Sequence, residues 1–509
     1  MKIKDILPAG MTILLSFAAA VFLFTYVLSE PEEGYIAVPV FAPAASPAPL
    51  PIPTPAPTPT PAPIRVRFMQ VHGLLQDFSQ DVLDTVEFVE STHVNFLVDG
   101  RMCMELYEQY RAAYIAATRN PMSHTDFVLA TQHFLTVFND GHLSRSFLQG
   151  FWVLVNNVWD WQIRLFQDGE FLEHQLLSRY GRLFLADDNM VKTDVEVLAI
   201  GGIPVPEIFA TIDHYFGTYN EAGRQRNRGR YARYSLMLHR AGATLYQLGG
   251  NLLVDVTLLE NGTQRTVEMG FVDLHPAYRR IPTFEPEYHV RWELLDGDIF
   301  YVNLNHMAPS PQWEAAATAI SHALESGVRD FILDLRNNAG GNPAIGHALL
   351  QAMGVSPATH GMILRLHAPY YHLPAIREVA HLTLADLEGR SYIYIPRDPA
   401  SANPYGVRVI ALTSERTFSG GATIALEVAD SCFGLIIGEP PSTSPSWYGW
   451  GGSIYLNTSH VQIRPHGGFY LRPNINECPL TLYPDIHTYE WLALEAALDF
   501  LRSTLHNPK

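Results

Sequence analysis

The chain has 509 residues, 47% hydrophobic and 17% charged, a composition that excludes a largely disordered protein and allows roughly two to four domains. A formal net charge of −17, with no Lys/Arg run, argues against a nucleic-acid partner, whose phosphates would be repelled. The three cysteines, Cys103, Cys432 and Cys478, are too few and too scattered for a disulfide framework or a zinc site. Buried free thiols are expected, with a Cys432–Cys478 bridge as the alternative.

At the N-terminus, Lys2 and Lys4 precede an uncharged stretch from Ile6 to Ser29, about the twenty residues that cross a bilayer as a helix. Glu30, Glu32 and Glu33 follow it, which orients the N-terminus to the cytoplasm and the rest outside. Residues 1–30 are therefore expected to be a membrane signal anchor, with a cleaved signal peptide as the competing reading. Residues 31–64 form a Pro/Ala-rich linker in extended polyproline II conformation.

Residues 65–150 read as a helical subdomain. Met102–Thr118 and Asp126–Phe138 carry apolar residues at three- and four-residue spacing, and Ser123 before Asp126 resembles a capping box. The second helix runs into Asn139-Asp140-Gly141-His142, where Gly141 is the expected terminator and His142 falls on a turn. Residues 151–287 become strand-rich. Val195–Ile212 reads as strand, Gly-Gly turn, short strand and helix, and Asn261-Gly262 marks a hairpin.

From residue 288 to 509 strands and helices alternate, which demands parallel crossovers and a sheet covered by helices. The expected fold class is thus α/β: a helical N-terminal subdomain, a strand-rich middle region, and a core with a mostly parallel sheet. Two segments of the core sit where a strand hands over to a helix. In Phe331-Ile-Leu-Asp-Leu-Arg-Asn-Asn-Ala-Gly340-Gly341, the bare Gly-Gly leaves backbone N–H groups open to a ligand. In Val407–Asp430, Ser419-Gly420-Gly421 places a hydroxyl at a helix start, where free N–H groups and the helix dipole favour negative charge. Together they suggest a serine hydrolase with Ser419 as nucleophile and the Gly341 and Gly420 amides as oxyanion donors, Gly340 supplying the bend. The bland alternative for Ser419 is an ordinary helix N-cap.

These residues carry a resemblance. Asp334-Leu-Arg-Asn-Asn-Ala-Gly-Gly341, Thr417-Phe-Ser-Gly-Gly-Ala422, Gly434-Leu-Ile-Ile-Gly-Glu439 and Tyr483-Pro-Asp-Ile486 resemble motifs of the C-terminal-processing, or tail-specific, serine peptidases. Asn139-Asp-Gly-His142 resembles the Asp-x-His element of the branch that includes the tricorn core and retinoid-binding relatives. The resemblance implies a ClpP/crotonase-like core and a peptide or protein substrate, with no metal or other cofactor. Val195–Ile212 looks like a fragment of a PDZ-type domain.

Many members of that family activate the serine with a lysine about 25 residues downstream, by the resemblance. No lysine occurs between Lys192 and Lys509, so a Ser–Lys dyad is excluded. A histidine mechanism remains, with His142 as general base and Glu477 as a third catalytic residue; a turn histidine and a surface carboxylate are the respective alternatives. Asp140 is expected to cap the turn rather than orient the ring, and the Ser442–Gly452 loop to face substrate. The functional expectation is a membrane-anchored, extracytoplasmic serine peptidase. The alternatives are an inactive relative that binds a peptide or apolar ligand, and an α/β-hydrolase esterase with a histidine placed after its serine.

Overall fold

Every residue of the strand Asp330–Asp334 is buried, as a strand with helices on both faces requires. In the computed structural model, residues 75–97, 102–143, 151–155, 158–162, 170–187, 192–248, 251–273, 289–295, 298–366, 390–474 and 480–505 are described. The strand lies inside a six-stranded sheet ordered Val290–Leu295, Ile299–Leu304, Asp330–Asp334, Arg408–Thr413, Gly434–Gly438, Ile486–His487. The first pair is antiparallel and every later pair is parallel. A two-residue side-chain period then sorts the strands between two layers. Phe331 and Leu333 pack with Ile320, Leu349 and Ile424 of the helices Pro311–Glu325, Pro343–Ala352 and Gly420–Ala429. Ile332, Ile410 and Leu412 face Ala493, Ala497 and Leu501 of the helix Ala493–Leu505 on the other side. The α/β class and the mostly parallel core sheet match the sequence expectation.

A four-stranded antiparallel sheet of Tyr392–Ile395, Gly361–Arg365, Gly468–Leu471 and Trp447–Gly449 was not legible beforehand. Its strands run only three to five residues and alternate poorly, so neither period shows. In the strand-rich stretch, Asn251–Glu260 and Thr263–Asp273 form the expected hairpin, with Asn261 and Gly262 both at positive φ, as a type I′ turn needs. Gly201 and Gly202 likewise turn the chain at positive φ between the strand Lys192–Ile200 and the helix Val205–Tyr215.

The helices Ser79–Thr92, Met104–Ala117 and His124–Leu135 share an aromatic core of Phe78, Tyr107, Tyr114, Phe127, Phe134 and Phe138. Ser123 caps the third by accepting from the Asp126 N–H at 3.1 Å. Leu456, Val461 and Ile463 of the C-terminal half enter the same cluster. Buried Asp81 accepts there from the Thr458 and Ser459 amides at 3.0 and 2.7 Å. These contacts dock the helices that carry the His142 turn onto the half of the chain that carries Ser419.

Two expectations need correction or placing. Cys103 and Cys432 are exposed rather than buried: Cys103 stands at a helix N-cap, and Cys432 lies in the turn between the helix Gly420–Ala429 and the strand Gly434–Gly438. No helix among the described residues is long and apolar enough to cross a membrane. The expected span Ile6–Ser29, the linker and Cys478 lie outside the described residues.

One buried ionic cluster ties the strand-rich stretch to the core. Arg179, at the end of the strand Gln175–Arg179, pairs with Glu415, with Glu490 at 3.1 Å and with Glu439 at 3.6 Å. Arg416 adds a second cation, 2.8 Å from Glu490. Three carboxylates against two guanidiniums leave a surplus of negative charge. Burial, together with the neighbouring Glu415 and Glu490, pushes the Glu439 carboxyl up to about 7 despite Arg179. Arg179→Met would leave those carboxylates uncompensated, and urea unfolding is expected to show a loss of about 3–5 kcal/mol. Because Glu439 binds its proton more tightly when folded, its contribution is complete below the ordinary carboxylate range and is lost as pH rises through about 7. Stability curves at successive pH values should therefore flatten over that window in Glu439→Gln.

Candidate active site

Ser419 stands at the N-terminal boundary of the helix Gly420–Ala429 with φ 54° and ψ −125°, and its side chain makes no capping hydrogen bond. The ordinary N-cap reading therefore fails. Positive φ is costly for a residue with a Cβ and survives only where the surroundings impose it. Here the Phe418 N–H donates to the Asn338 carbonyl at 2.9 Å and the Ser419 N–H to Thr443 Oγ1 at 2.7 Å. Farther along the helix, buried Glu427 receives His347 Nε2 at 2.6 Å and His360 Nδ1 at 2.9 Å. Burial would raise its carboxyl, but the two histidines hold it at about 2. The helix behind Ser419 is thus pinned in place.

The Gly340-Gly341 turn lies directly against this boundary. Gly340 and Gly341 have φ of 107° and 122°. A Cβ on Gly340 would stand 2.7 Å from the Ser419 Cβ, and one on Gly420 2.7 Å from the Gly341 carbonyl oxygen. The two backbones can meet only because these positions carry no side chain. The polar pair ahead of the turn has a use: Asn338 Oδ1 accepts from the Gly340 N–H at 2.7 Å and its Nδ2 donates to the Leu304 carbonyl at 2.7 Å. The bridge to Met307 uses the Gly340 carbonyl and the Asn342 N–H. Among the described residues, no hydrogen bond takes the N–H of Gly341 or of Gly420. These two donors beside the Ser419 hydroxyl have the arrangement an oxyanion hole requires.

His142 arrives from the helical half. Its ring lies over Phe418, the neighbour of Ser419, at a centroid distance of 4.4 Å and stacks on Trp447 at 4.9 Å. Nδ1 is 2.6 Å from the Tyr219 hydroxyl. Asp140 caps the turn as expected, with Oδ1 accepting the His142 N–H at 2.9 Å. It does more than cap: Oδ1 also accepts the Tyr219 hydroxyl at 2.8 Å, and Oδ2 receives His466 Nδ1 at 2.6 Å. Burial alone would raise this carboxyl, but His466 and His93 outweigh it and hold it well below the usual carboxylate range. His93 accepts the Asn95 N–H on Nδ1, so its Nε2–H faces Asp140 Oδ2 at 3.6 Å, and burial keeps this ring neutral by lowering its pKa.

The structure therefore brings together Ser419, His142, Gly340, Gly341 and Gly420; Glu477 lies outside the described residues. Two readings change. Asn139, at φ 48°, makes the left-handed break after the helical segment, not Gly141. Gly141 instead lets Tyr219 approach, since a Cβ there would stand 2.9 Å from its ring. The stretch from Ser442 to Gly449 is buried, so it supports the site from behind: Ser442 N–H bonds the Thr417 carbonyl, Thr443 holds Ser419, and Trp447 backs His142. Tyr219 and His93 were missed; His466 was weighed only as a histidine of the esterase alternative and Thr443 only as part of the Ser442–Gly452 loop, while Tyr219 sits 77 residues from His142 and no local pattern marks it.

If Ser419 is strained, glycine should relieve it. Ser419→Gly is expected to unfold at higher urea than Ser419→Ala, by about 1 kcal/mol once the strain released exceeds glycine's entropic cost. Equal midpoints for the two variants would mean that the positive φ stores no energy.

Residues 298–448 match the model of peptidase family S41. No curated protein matches the sequence. Among solved structures, mature CPAF is similar over 84% of this chain and 95% of its own, with TM-score 0.56 and 14% identity. Mature CPAF complexed with lactacystin gives 84% and 97%, TM-score 0.55 and 15% identity. The photosystem II D1 C-terminal processing protease gives 83% and 97%, TM-score 0.41 and 14% identity. At these identities the likeness to CPAF is one of fold.

Proposed function

From the peptidase family S41 core at residues 298–448, we propose that this chain hydrolyses peptide bonds in peptides or protein C-termini with Ser419 as nucleophile and His142 as general base. The observation that carries this reading is the uncapped Ser419 hydroxyl beside the unclaimed N–H groups of Gly341 and Gly420, with the His142 ring against the adjoining Phe418.

Each step follows from what these groups can do. The His142 imidazole accepts the proton of Ser419 Oγ as the oxygen attacks the scissile carbonyl. The Gly341 and Gly420 amides stabilise the tetrahedral oxyanion. His142 then returns the proton to the leaving amine, and water hydrolyses the acyl-enzyme by the same route. Glu477 is the further carboxylate we assign to this set, from its place ahead of Tyr483-Pro-Asp485. The helix start adds the positive end of its dipole to the same oxyanion.

The substrate is a peptide or protein, as the family implies. We place the catalytic body outside the cytoplasm, held by an anchor at Ile6–Ser29 and spaced from the membrane by the proline-rich residues 31–64.

A fluorophosphonate probe tests the nucleophile. The wild-type chain is expected to label, Ser419→Ala to lose labelling, and His142→Ala to label at least about a hundredfold more slowly. Equal labelling of Ser419→Ala would refute the assignment. A folded wild type that never labels would favour a binding protein that has kept the cleft.

A further inference from the structure

Asp140 and the ring of His142 share one hydroxyl. Asp140 Oδ1 lies 2.8 Å from the Tyr219 hydroxyl, which in turn lies 2.6 Å from His142 Nδ1. The tyrosine oxygen is also 3.1 Å from the Tyr448 carbonyl. The placement of protons follows from counting donors. Asp140 is ionised and the Tyr448 carbonyl has no hydrogen, so both are acceptors facing a hydroxyl with one hydrogen to give. The anion wins that hydrogen, because a charge-assisted bond is the stronger and is here the shorter. If His142 Nδ1 were also a bare acceptor, three acceptors would converge on one hydrogen at 2.6–3.1 Å. With Nδ1 protonated, the ring donates to the tyrosine oxygen while the tyrosine hydrogen goes to Asp140, and only the weaker, longer contact to the Tyr448 carbonyl goes without.

We propose that Tyr219 is the positioning residue for His142: its hydroxyl holds the ring as the Nδ1–H tautomer and couples it to the buried carboxylate of Asp140. Nε2 is then left with the lone pair that a general base needs, and the imidazolium formed when it takes a proton is stabilised through the hydroxyl by the Asp140 anion. Tyr219 itself transfers no proton in any step; its O–H stays directed at Asp140.

Three further features fit that role and no simpler one. Gly141 admits the Tyr219 ring at a distance that any Cβ would forbid. Phe418 and Trp447 lie close to the His142 ring, so its plane is fixed independently of the hydrogen bond. Tyr219 is buried against Phe418 and Tyr448, which keeps its hydroxyl from turning to solvent.

The charged and titratable groups around the ring come from several elements. Asp140 lies on the same turn, and His466 faces the ring at a centroid distance of 5.5 Å. His93 stands beyond Asp140 with Arg365 behind it, and Arg226 sits over the Phe418 ring at 5.0 Å. Removing the Tyr219 hydroxyl takes one donor from Asp140 and leaves its bonds from the His142 N–H and His466 in place.

The proposal rests on His142 being the base, and its test separates the two. In Tyr219→Phe, with near-UV circular dichroism reporting an intact fold, the rate constant for fluorophosphonate labelling of Ser419 is expected to fall at least about tenfold. The acid limb of its pH profile should move to lower pH, because the imidazolium loses its link to Asp140. A purely structural tyrosine would lower the rate without moving that limb. An unchanged rate and limb would overturn the proposal while leaving Ser419 and His142 as assigned.

Nitrogen-15 NMR of the histidines in the full-length chain gives a readout that needs no activity, with the His142 signals assigned by their loss in His142→Gln. Above the titration midpoint, wild type is expected to show Nδ1 protonated and Nε2 bare, and Tyr219→Phe a mixture of tautomers. A bare Nδ1 in the wild type overturns the proposal whether or not the protein labels. A protonated Nδ1 in a chain that never labels would sustain it and place the failure on Ser419.

Discussion

The site depends on one buried anion. Taking a carboxylate out of water costs several kcal/mol unless hydrogen bonds replace its hydration. Asp140 has that replacement from four directions: its own turn, His466, Tyr219 and, at longer range, His93. The donors come from segments far apart in the chain, so the charge cannot be satisfied until the helical half, the loop carrying Tyr219 and the C-terminal loops have all docked. Its desolvation thus makes assembly of the surroundings of His142 an all-or-none event. A partial assembly would leave the anion buried and short of partners, which is worse than leaving it in water.

The second constraint is steric. The Gly340-Gly341 turn and Ser419 come from two separate strand–helix junctions that must touch backbone to backbone. Gly340, Gly341 and Gly420 permit that contact, and Asn338 enforces it by binding both sides: its amide side chain holds the Gly-Gly turn and its carbonyl takes the Phe418 N–H. The open N–H groups of Gly341 and Gly420 result from this arrangement, since the bonds that fix the turn use the Gly340 N–H and the Gly340 and Met307 carbonyls.

What was legible in the sequence was what local pattern encodes. The buried run Phe331–Leu335 and the alternation of strands with helices gave the parallel sheet, because a fully buried strand needs no partner information to be recognised. Ser419-Gly420-Gly421 and Gly340-Gly341 were legible because glycine and a helix start carry their function in the backbone. The Asp140 network was not, since its members have no fixed spacing and their meaning lies in three-dimensional proximity. Gly141 shows the same limit at one residue: as a turn former it was explained too easily, and its actual service is to a tyrosine far along the chain. The Ser442–Gly452 loop was marked by its composition, but not the use of its polar groups, which in Ser442 and Thr443 bond the Ser419 segment.

The two constraints meet at Ser419. Its positive φ costs about 1–3 kcal/mol and would relax toward an ordinary N-cap if the helix were free to adjust. Asn338 and Thr443 hold the chain on its N-terminal side, and the Glu427–His347–His360 cluster holds the helix beyond it. The hydroxyl makes no capping bond, and the Gly421 N–H that it could have capped donates to the Phe418 carbonyl at 3.1 Å instead. On the histidine side, Phe418 and Trp447 fix the ring while Tyr219 and Asp140 fix its proton. Ser419 and His142 share Phe418, whose N–H bonds the Asn338 carbonyl and whose ring packs on the imidazole. Their joint placement also rests on the docking of the helical half through Asp81, Leu456 and Val461. His142 thus reaches the neighbourhood of Ser419 from a different structural layer, with the buried Asp140 on its own turn.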